Sequence, residues 1–505
     1  MEKIFETVGL EGAYQTTLLI INLLTVLSTI YLFYVPFLTK PPSFFVQKLT
    51  SEDPNKLYEM DYSPELCDIN MYNLTKNPTK SIINWSYTFD LYCDREYYST
   101  IIASIIFVGA MIGNLLILPL SDKYGRSIVL KTVSTISFIL HLNLLFSIGP
   151  IHLIIVNFLG GIFSIIFILG FALFTEFFPK SKNGFLIGIF NAIFPFGGVL
   201  FSFYFMISTN WRYIFLITSL IHSYYTYLTL KYFLESPRWL HSVGNRKKCL
   251  ETLTTLAKYN GREKQWLEFQ NNNKDLINKI GTRFLESNEI IDNNKDNKLK
   301  QTYNIFQILK FKSQRMLFVK LTIMYTFSSF NYYGIILNLG KMKGNFFLNS
   351  IFAFLGEIIS ELISGSLADK FGRICIFLCS SSCGILGYLL YMISPSFKFF
   401  FVFIAMMGFA GIFNVMCIYQ PEVYPTKIRN ITNSFTNLIS KISPICVPIF
   451  SQAFPKIIDF SFIISGIVIS LIAFTLEETL GKKIIDIIPE EQEENENLKM
   501  EFLKE

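Results

Sequence analysis

Apolar residues run through this sequence in long stretches. About 20 mostly apolar residues make a helix long enough to cross a bilayer. Twelve such stretches fall near 14–38, 97–119, 128–147, 151–174, 185–207, 213–233, 316–339, 346–367, 374–393, 399–419, 431–450 and 457–476. They come as six, a long polar interruption, then six more. The first is too long for a signal-peptide core and lacks a small-residue cleavage site, so it reads as a span. The pattern predicts an all-α polytopic membrane protein of twelve transmembrane helices in two six-helix halves. The expected organisation is an N-terminal half over 1–234 with a loop at 39–96, a linker over 235–315, a C-terminal half over 316–476 and an acidic tail over 477–505.

Composition agrees. Of 505 residues, 51% are hydrophobic and 16% charged, against about 25% charged in an ordinary soluble protein. The excess apolar surface must face lipid. The net charge of +6 is small for this length, and no basic stripe argues for nucleic acid.

Lys and Arg in short loops set the orientation. The loops after the second, fourth, eighth and tenth spans carry Lys123, Arg126 and Lys131; Lys180 and Lys182; Lys370 and Arg373; Lys427 and Arg429. The loop after the third carries none, and those after the seventh and ninth carry only Lys341, Lys343 and Lys398. The even loops and both termini are therefore expected in the cytoplasm, and loop 39–96 outside, with the plasma membrane as the default location. That loop holds two glycosylation acceptors, at Asn73 and Asn84, and two of the eight cysteines, Cys67 and Cys93, which an oxidising exterior could pair within or between chains.

The two halves share a signal. Asp122-Lys123-Tyr124-Gly125-Arg126 follows the second span, and Asp369-Lys370-Phe371-Gly372-Arg373 follows the eighth. Glu176-Phe177-Phe178-Pro179 and Glu422-Val423-Tyr424-Pro425 match more loosely after the fourth and tenth. Matched positions in both halves mark an internal repeat. Asp122, Arg126, Glu176, Asp369, Arg373, Glu422 and Arg429 are expected to form a cytoplasmic gate. Asp122 and Arg126 can pair with each other, with Glu176, or with a helix end of the other half.

Several segments together resemble the major facilitator superfamily and, within it, the organic cation/anion/carnitine transporter family. They include Asp90-Leu91-Tyr92-Cys93-Asp94-Arg95, Glu235-Ser236-Pro237-Arg238-Trp239-Leu240, Tyr332-Tyr333-Gly334, Pro421-Glu422-Val423-Tyr424-Pro425-Thr426-Lys427-Ile428-Arg429-Asn430 and Leu476-Glu477-Glu478-Thr479-Leu480-Gly481. The chain departs from the family at Leu118, Ile359, Pro444 and Glu477. The resemblance implies the major facilitator fold and secondary transport of a small organic ion by a monomer, with sodium or an exchange ion as coupling partner.

Charge inside a span costs about 2.5–3.5 kcal/mol on insertion scales, so Glu357 and Glu361 in the eighth span and Lys441 in the eleventh stand out. The two acids are four residues apart, on one helical face. The resemblance places a glutamate at Glu357 in cation and carnitine members, and a basic residue at Lys441 in anion and carnitine members. A base with two acids suits an anion or zwitterion better than a cation. Alternatively, Glu357 and Lys441 form a buried structural pair. Phe330, Tyr332 and Tyr333 of the seventh span are further candidates for contact with an organic ion. Arg212 is a candidate outer-gate partner, and His141 and His222 read as lone packing histidines.

No phosphate loop, zinc motif or nucleophile elbow occurs, so no enzyme, metal or cofactor is expected. The rival readings are a sugar transporter of the same superfamily, weakened by Ser328-Ser329-Phe330-Asn331 where that group carries a Gln pair, and a transport-inactive, receptor-like member.

Overall fold

The computed structural model describes residues 2–9, 12–28, 31–48, 57–68, 70–177, 183–274, 277, 309–425 and 428–481. Lys180, Lys182, Lys427 and residues 482–505 of the acidic tail lie outside the described residues.

Among the described residues, six helices are long and apolar enough to cross a membrane, three in each half: Cys93–Tyr124, Arg126–Leu145, Pro150–Glu176, Phe346–Phe371, Arg373–Ile393 and Lys398–Val423. They occupy the second to fourth and the eighth to tenth positions. The first position is held by Ala13–Ser28 and Tyr31–Leu38, the fifth by Asn183–Ile207 and the sixth by Trp211–Tyr232. The seventh is Lys312–Asn338 and the twelfth Ile458–Ala473. The eleventh is split into Arg429–Ser440 and Ile442–Ala453.

Two interruptions have local causes. In the eleventh span Pro444 has no N–H to give the carbonyl of Ser440. Ser443 Oγ donates to that carbonyl instead, at 3.1 Å, and the helix breaks at Lys441. The fourth span stops at Phe163 and resumes at Ile166. There Gly160 and Gly161 precede Ser164, whose hydroxyl donates back to the Gly161 carbonyl at 2.7 Å; glycine–serine pairs and such back-bonding are common sources of a kink.

Glycine sets the tightest helix pairs. A Cβ on Gly109 would lie 2.2 Å from the Phe158 carbonyl oxygen, and one on Gly161 2.3 Å from that of Ile106. The second and fourth spans therefore touch backbone to backbone, as small residues allow in lipid. The eighth and tenth repeat the arrangement through Gly356, whose Cβ would lie 2.5 Å from the Phe403 carbonyl oxygen.

The halves meet through the fifth and eighth spans and through the second span and Ile442–Ala453. On the side of the first loop they are tied directly. Lys341 Nζ donates to Glu96 at 3.3 Å, Thr100 Oγ1 donates to Gln452 at 2.7 Å, and the rings of Phe37 and Phe346 pack at 4.9 Å.

The first loop is more ordered than its sequence suggests. Strands β1 (Phe44–Lys48), β2 (Leu57–Met60) and β3 (Tyr72–Lys76) form an antiparallel sheet in the order β2-β1-β3. Cys67 and Cys93 are joined within the chain, with Cα atoms 5.5 Å apart. Beyond the sixth span, helices Pro237–Ser242, Arg246–Tyr259 and Glu263–Asn272 pack with the N-terminal helix Glu2–Val8 around a buried Trp266. The Asn260 amide donates to Val8, Gly9 and Gln15, so the chain start is fastened to the linker helices.

Candidate functional site: a cavity between the halves

A cavity of about 330 Å³ opens between the halves and is lined by residues of both. Five of the six expected binding residues line it: Tyr332, Tyr333, Glu357, Glu361 and Lys441. Lys441 sits at the break in the eleventh span, and Ser164, at the break in the fourth, lines the opposite wall.

The contacts differ from a simple ion pair. Tyr332 Oη donates to Glu357 Oε1 at 2.5 Å, and Lys441 Nζ donates to Tyr333 Oη at 3.3 Å and lies 5.2 Å from the centre of that ring. The two tyrosine rings meet edge to face at 4.7 Å. Glu361 Oε2 accepts a long bond from Asn191 Nδ2 at 3.5 Å, which crosses between the halves. Lys441 is thus held by a phenol, and the direct Glu357–Lys441 pair does not form. Phe330 is a correction: it packs on Phe462 of the twelfth span at 5.3 Å. Two residues on from Phe330, Tyr332 is rotated by about 200° around the helix, which brings it to the cavity face.

The repeated motifs build two matching networks at the other end of the spans. Arg126 pairs with Glu176 and with Asp122 at 3.3 Å. Arg373 pairs with Asp369 at 2.9 Å and with Glu422 at 2.9 Å. A carboxylate that the motif reading missed completes each. Glu235 accepts from the backbone N–H of Arg126 at 2.9 Å, and Glu478 from that of Arg373 at 2.9 Å and Ile374 at 3.0 Å. These are the first amides of the third and ninth spans, where the helix leaves N–H groups unbonded and favours negative charge. Burial works against the Glu478 charge, but four backbone N–H donors hold its carboxyl below the usual range. Among the described residues, neither network reaches across to the spans of the other half. Arg429 is a second correction: its guanidinium donates to the Tyr424 carbonyl at 3.2 Å and, among the described residues, joins neither network.

A family model of the Major Facilitator Superfamily matches residues 74–356 and 321–490. The chain belongs to the major facilitator superfamily. As a member it is a membrane transport protein and not an enzyme. It is 25% identical over 413 residues to Organic cation/carnitine transporter 4 of Arabidopsis thaliana, covering 78% of this chain and 74% of that one. It is 24% identical over 433 residues to Solute carrier family 22 member 6 of Danio rerio, with 83% and 72% covered. The Beta-alanine transporter of Drosophila melanogaster is 23% identical over 423 residues, with 82% and 67% covered. The inward-open structure of the xylose transporter XylE from E. coli superposes with a TM-score of 0.61 at 16% identity, covering 92% of this chain and 98% of that one. That likeness fixes the major facilitator fold.

Within that fold, sequence reasoning missed the amides of Asn114, Asn191, Asn414 and Asn437 and the phenol of Tyr325, all on the cavity wall. Tyr325 was findable, since it stands seven residues before Tyr332 and so on one face. The asparagines carry no such signal in a chain rich in asparagine.

Three further expectations change. Asn84 is a correction as a glycosylation acceptor. Its side chain is buried, donates to the Phe37 and Lys40 carbonyls at 2.7 and 2.8 Å, and caps helix Trp85–Phe89. Asn73, on β3, is exposed. Arg212 stacks over Trp211 at 4.7 Å, while among the described residues the ion pair across the first-loop side is Glu96–Lys341. His141 and His222 are neighbours, with ring centres 5.7 Å apart.

Proposed function

We propose that this superfamily member is a secondary transporter of small organic ions, favouring anions or zwitterions over cations, and that it works by alternating access. The observation that carries the reading is the meeting of Lys441, Glu357, Glu361 and two tyrosines in one cavity between the halves. An ammonium and carboxylates within one space can each take the opposite end of a zwitterion, and aromatic walls suit its carbon body. The names of the relatives, organic cation/carnitine transporter and beta-alanine transporter, agree with an organic ion as cargo. The first-loop ties and the self-contained motif networks fit a state open toward the motif side.

The same proposal makes the motif side cytoplasmic, with both termini there, and the first loop external in the plasma membrane. It divides the chain into halves 1–234 and 316–476 joined by linker 235–315, acting as a monomer. The Arg126 and Arg373 networks serve as the gate. Asn73 then carries a glycan and Asn84 does not; a glycosidase-sensitive band shift in the wild type, lost in Asn73→Gln, is the expected result.

The test is uptake by cells expressing the full chain, offered labelled carnitine, β-alanine, benzoate, tetraethylammonium and hexose. Uptake of anions or zwitterions supports the reading. Uptake of tetraethylammonium alone overturns the charge preference. The four amides on the wall favour one competing reading, a neutral polyhydroxylated cargo, and hexose uptake alone would establish it. No uptake of any solute would favour the receptor-like reading.

A further inference from the structure

Glu96 opens the second span, and its two oxygens serve different partners. Oε1 accepts from Lys341 Nζ of the C-terminal half at 3.3 Å, and Oε2 accepts from Tyr62 Oη of the first loop at 3.0 Å. The glutamate is shielded, with 16% of its side chain exposed, whereas Lys341 is 44% exposed. Both line a small cavity of about 40 Å³ between the halves on this side, together with Thr100, Asn338 and Ser451.

Tyr62 is itself held. Its ring packs against that of Phe44 on β1, with centres 6.3 Å apart, and Phe44 is buried. Its hydroxyl accepts from the backbone N–H of Cys93 at 3.3 Å and lies 3.6 Å from Cys67 Sγ, so it sits against the disulfide. Cys93 has φ 50°, a left-handed value that a non-glycine residue keeps only where its surroundings impose it. Burial and the Glu96 carboxylate push the Tyr62 phenol above its usual range, so its O–H remains a donor at physiological pH. Other loop contacts, such as those of the Asn84 amide with the Phe37 and Lys40 carbonyls, fasten the loop to its own half.

An exposed Glu–Lys pair contributes little, because two flexible side chains must be ordered to make it. Tyr62 orders one of them beforehand. A carboxylate fixed by one oxygen presents the other to the opposite half with less rotamer freedom left to lose.

We infer that Tyr62 is a positioning residue for closure of the halves on the first-loop side: it holds Glu96 where Lys341 can engage it, and so makes the first loop part of the gate. Tyr62 does not line the larger cavity, so it acts through Glu96 and not on the cargo. When the halves part on this side, the Glu96–Lys341 contact breaks and the Tyr62–Glu96 contact persists, since its two members belong to one half. Each reclosure then meets a carboxylate already in place. The motion of the halves rests on the transport reading; the contact does not.

The test uses the full chain with Cys417, on the wall of the larger cavity, as the sole free cysteine. A membrane-impermeant maleimide is applied from the first-loop side, identified as the side that labels Asn73→Cys on the exposed face of β3. Tyr62→Phe removes the hydroxyl and keeps the ring; it should speed alkylation of Cys417 about twofold, within the range of an exposed ion pair. Lys341→Ala should do the same. Tyr62→Phe should add nothing in the Lys341→Ala background, because residues acting through one contact are not additive. Equal acceleration by Tyr62→Phe in both backgrounds overturns the positioning role and leaves Tyr62 a packing residue. No acceleration by Tyr62→Phe where Lys341→Ala gives one overturns it as well. The second readout does not depend on transport. On the purified full chain, acetylation of the Lys341 amine, followed by mass spectrometry, should be about twofold faster in Tyr62→Phe, and an unchanged rate overturns the contact. If Cys417 is never labelled from the first-loop side in any variant, the transport reading falls and the closing role with it, while a faster Lys341 leaves the contact standing.

Discussion

Around Arg126 and around Arg373 the same contacts recur: an aspartate four residues earlier, a glutamate from the next span, and a second glutamate that caps the helix the arginine begins. The cavity shows no such recurrence. Glu357, Glu361, Lys441 and all three lining tyrosines belong to the C-terminal half. The N-terminal half gives Asn114, Asn191, Ser164 and apolar side chains. On the proposed function, a repeat kept symmetric at the ends of the spans and lost in their middle separates two tasks. Motion of two halves against each other needs similar fastening in each. Recognition of an asymmetric molecule needs unlike walls.

The most damaging way to break this comparison is to remove a network's cation. The Arg373 side chain is 9% exposed and that of Arg126 25%. Stripping a fully buried pair of one partner costs about 3–5 kcal/mol; Glu422 is 28% and Asp369 70% exposed, so Arg373→Ala should fall at or below the low end of that range and Arg126→Ala lower still. Thermal unfolding of the purified variants checks the order; equal or reversed effects would mean that burial of the arginine does not set what each network contributes.

The asymmetry of the cavity predicts a smaller but more selective effect. Lys441→Ala should cut uptake of anionic and zwitterionic probes about tenfold, some 1.4 kcal/mol, at unchanged unfolding temperature. Asn191→Ala, on the other wall, should change all accepted probes alike. If Asn191→Ala altered charge preference as much as Lys441→Ala, recognition would not be confined to one half.

The tie on the first-loop side is weaker still. Lys341 is 44% exposed, and exposed ion pairs contribute about 0.2–1 kcal/mol. Lys341→Ala should shift the population away from the state open on the motif side. Cys417 lines the cavity. In a variant that keeps it as the sole free cysteine, its alkylation from that side should slow by at most about twofold, the factor for about 0.4 kcal/mol. Faster alkylation would mean that this tie holds the opposite state.

Acid should test the caps last. Glu478 has a lowered carboxyl value because backbone N–H groups hold its charged form. Its stabilising contribution is present above the ordinary unfolded value, about 4.3, and is lost as pH falls through the lowered folded value. Thermal stability of the wild type should therefore drop below about pH 4.3 more steeply than that of Glu478→Gln. Parallel curves would remove Glu478 from the network.

The spans were legible because lipid demands long apolar runs, whatever packs inside. The repeated motifs were legible because duplication makes a short pattern specific. Glu357, Glu361 and Lys441 were legible because charge in a span is costly enough to need a reason. The remaining features lacked such a signal. Pro444 was visible as a departure, but the resulting break at Lys441 depends on Ser443 taking over a carbonyl. Phe330 read like its tyrosine neighbours, and only the helix phase turns it to the twelfth span. The Asn84 tripeptide fits a glycan acceptor, yet its amide is used to cap a helix. Strands of four or five residues in the first loop gave too little pattern to be read.

Gly109 and Gly161 have a consequence for what can pass through the protein. With backbone touching backbone, the second and fourth spans cannot slide or part without opening a void, and no other side chain fits between them. The wall bearing Asn114 and Ser164 therefore acts as a fixed jaw. The tenth span is pinned to the eighth in the same way through Gly356, so on the proposed transport reading variants meant to admit larger molecules belong on the seventh and eleventh spans.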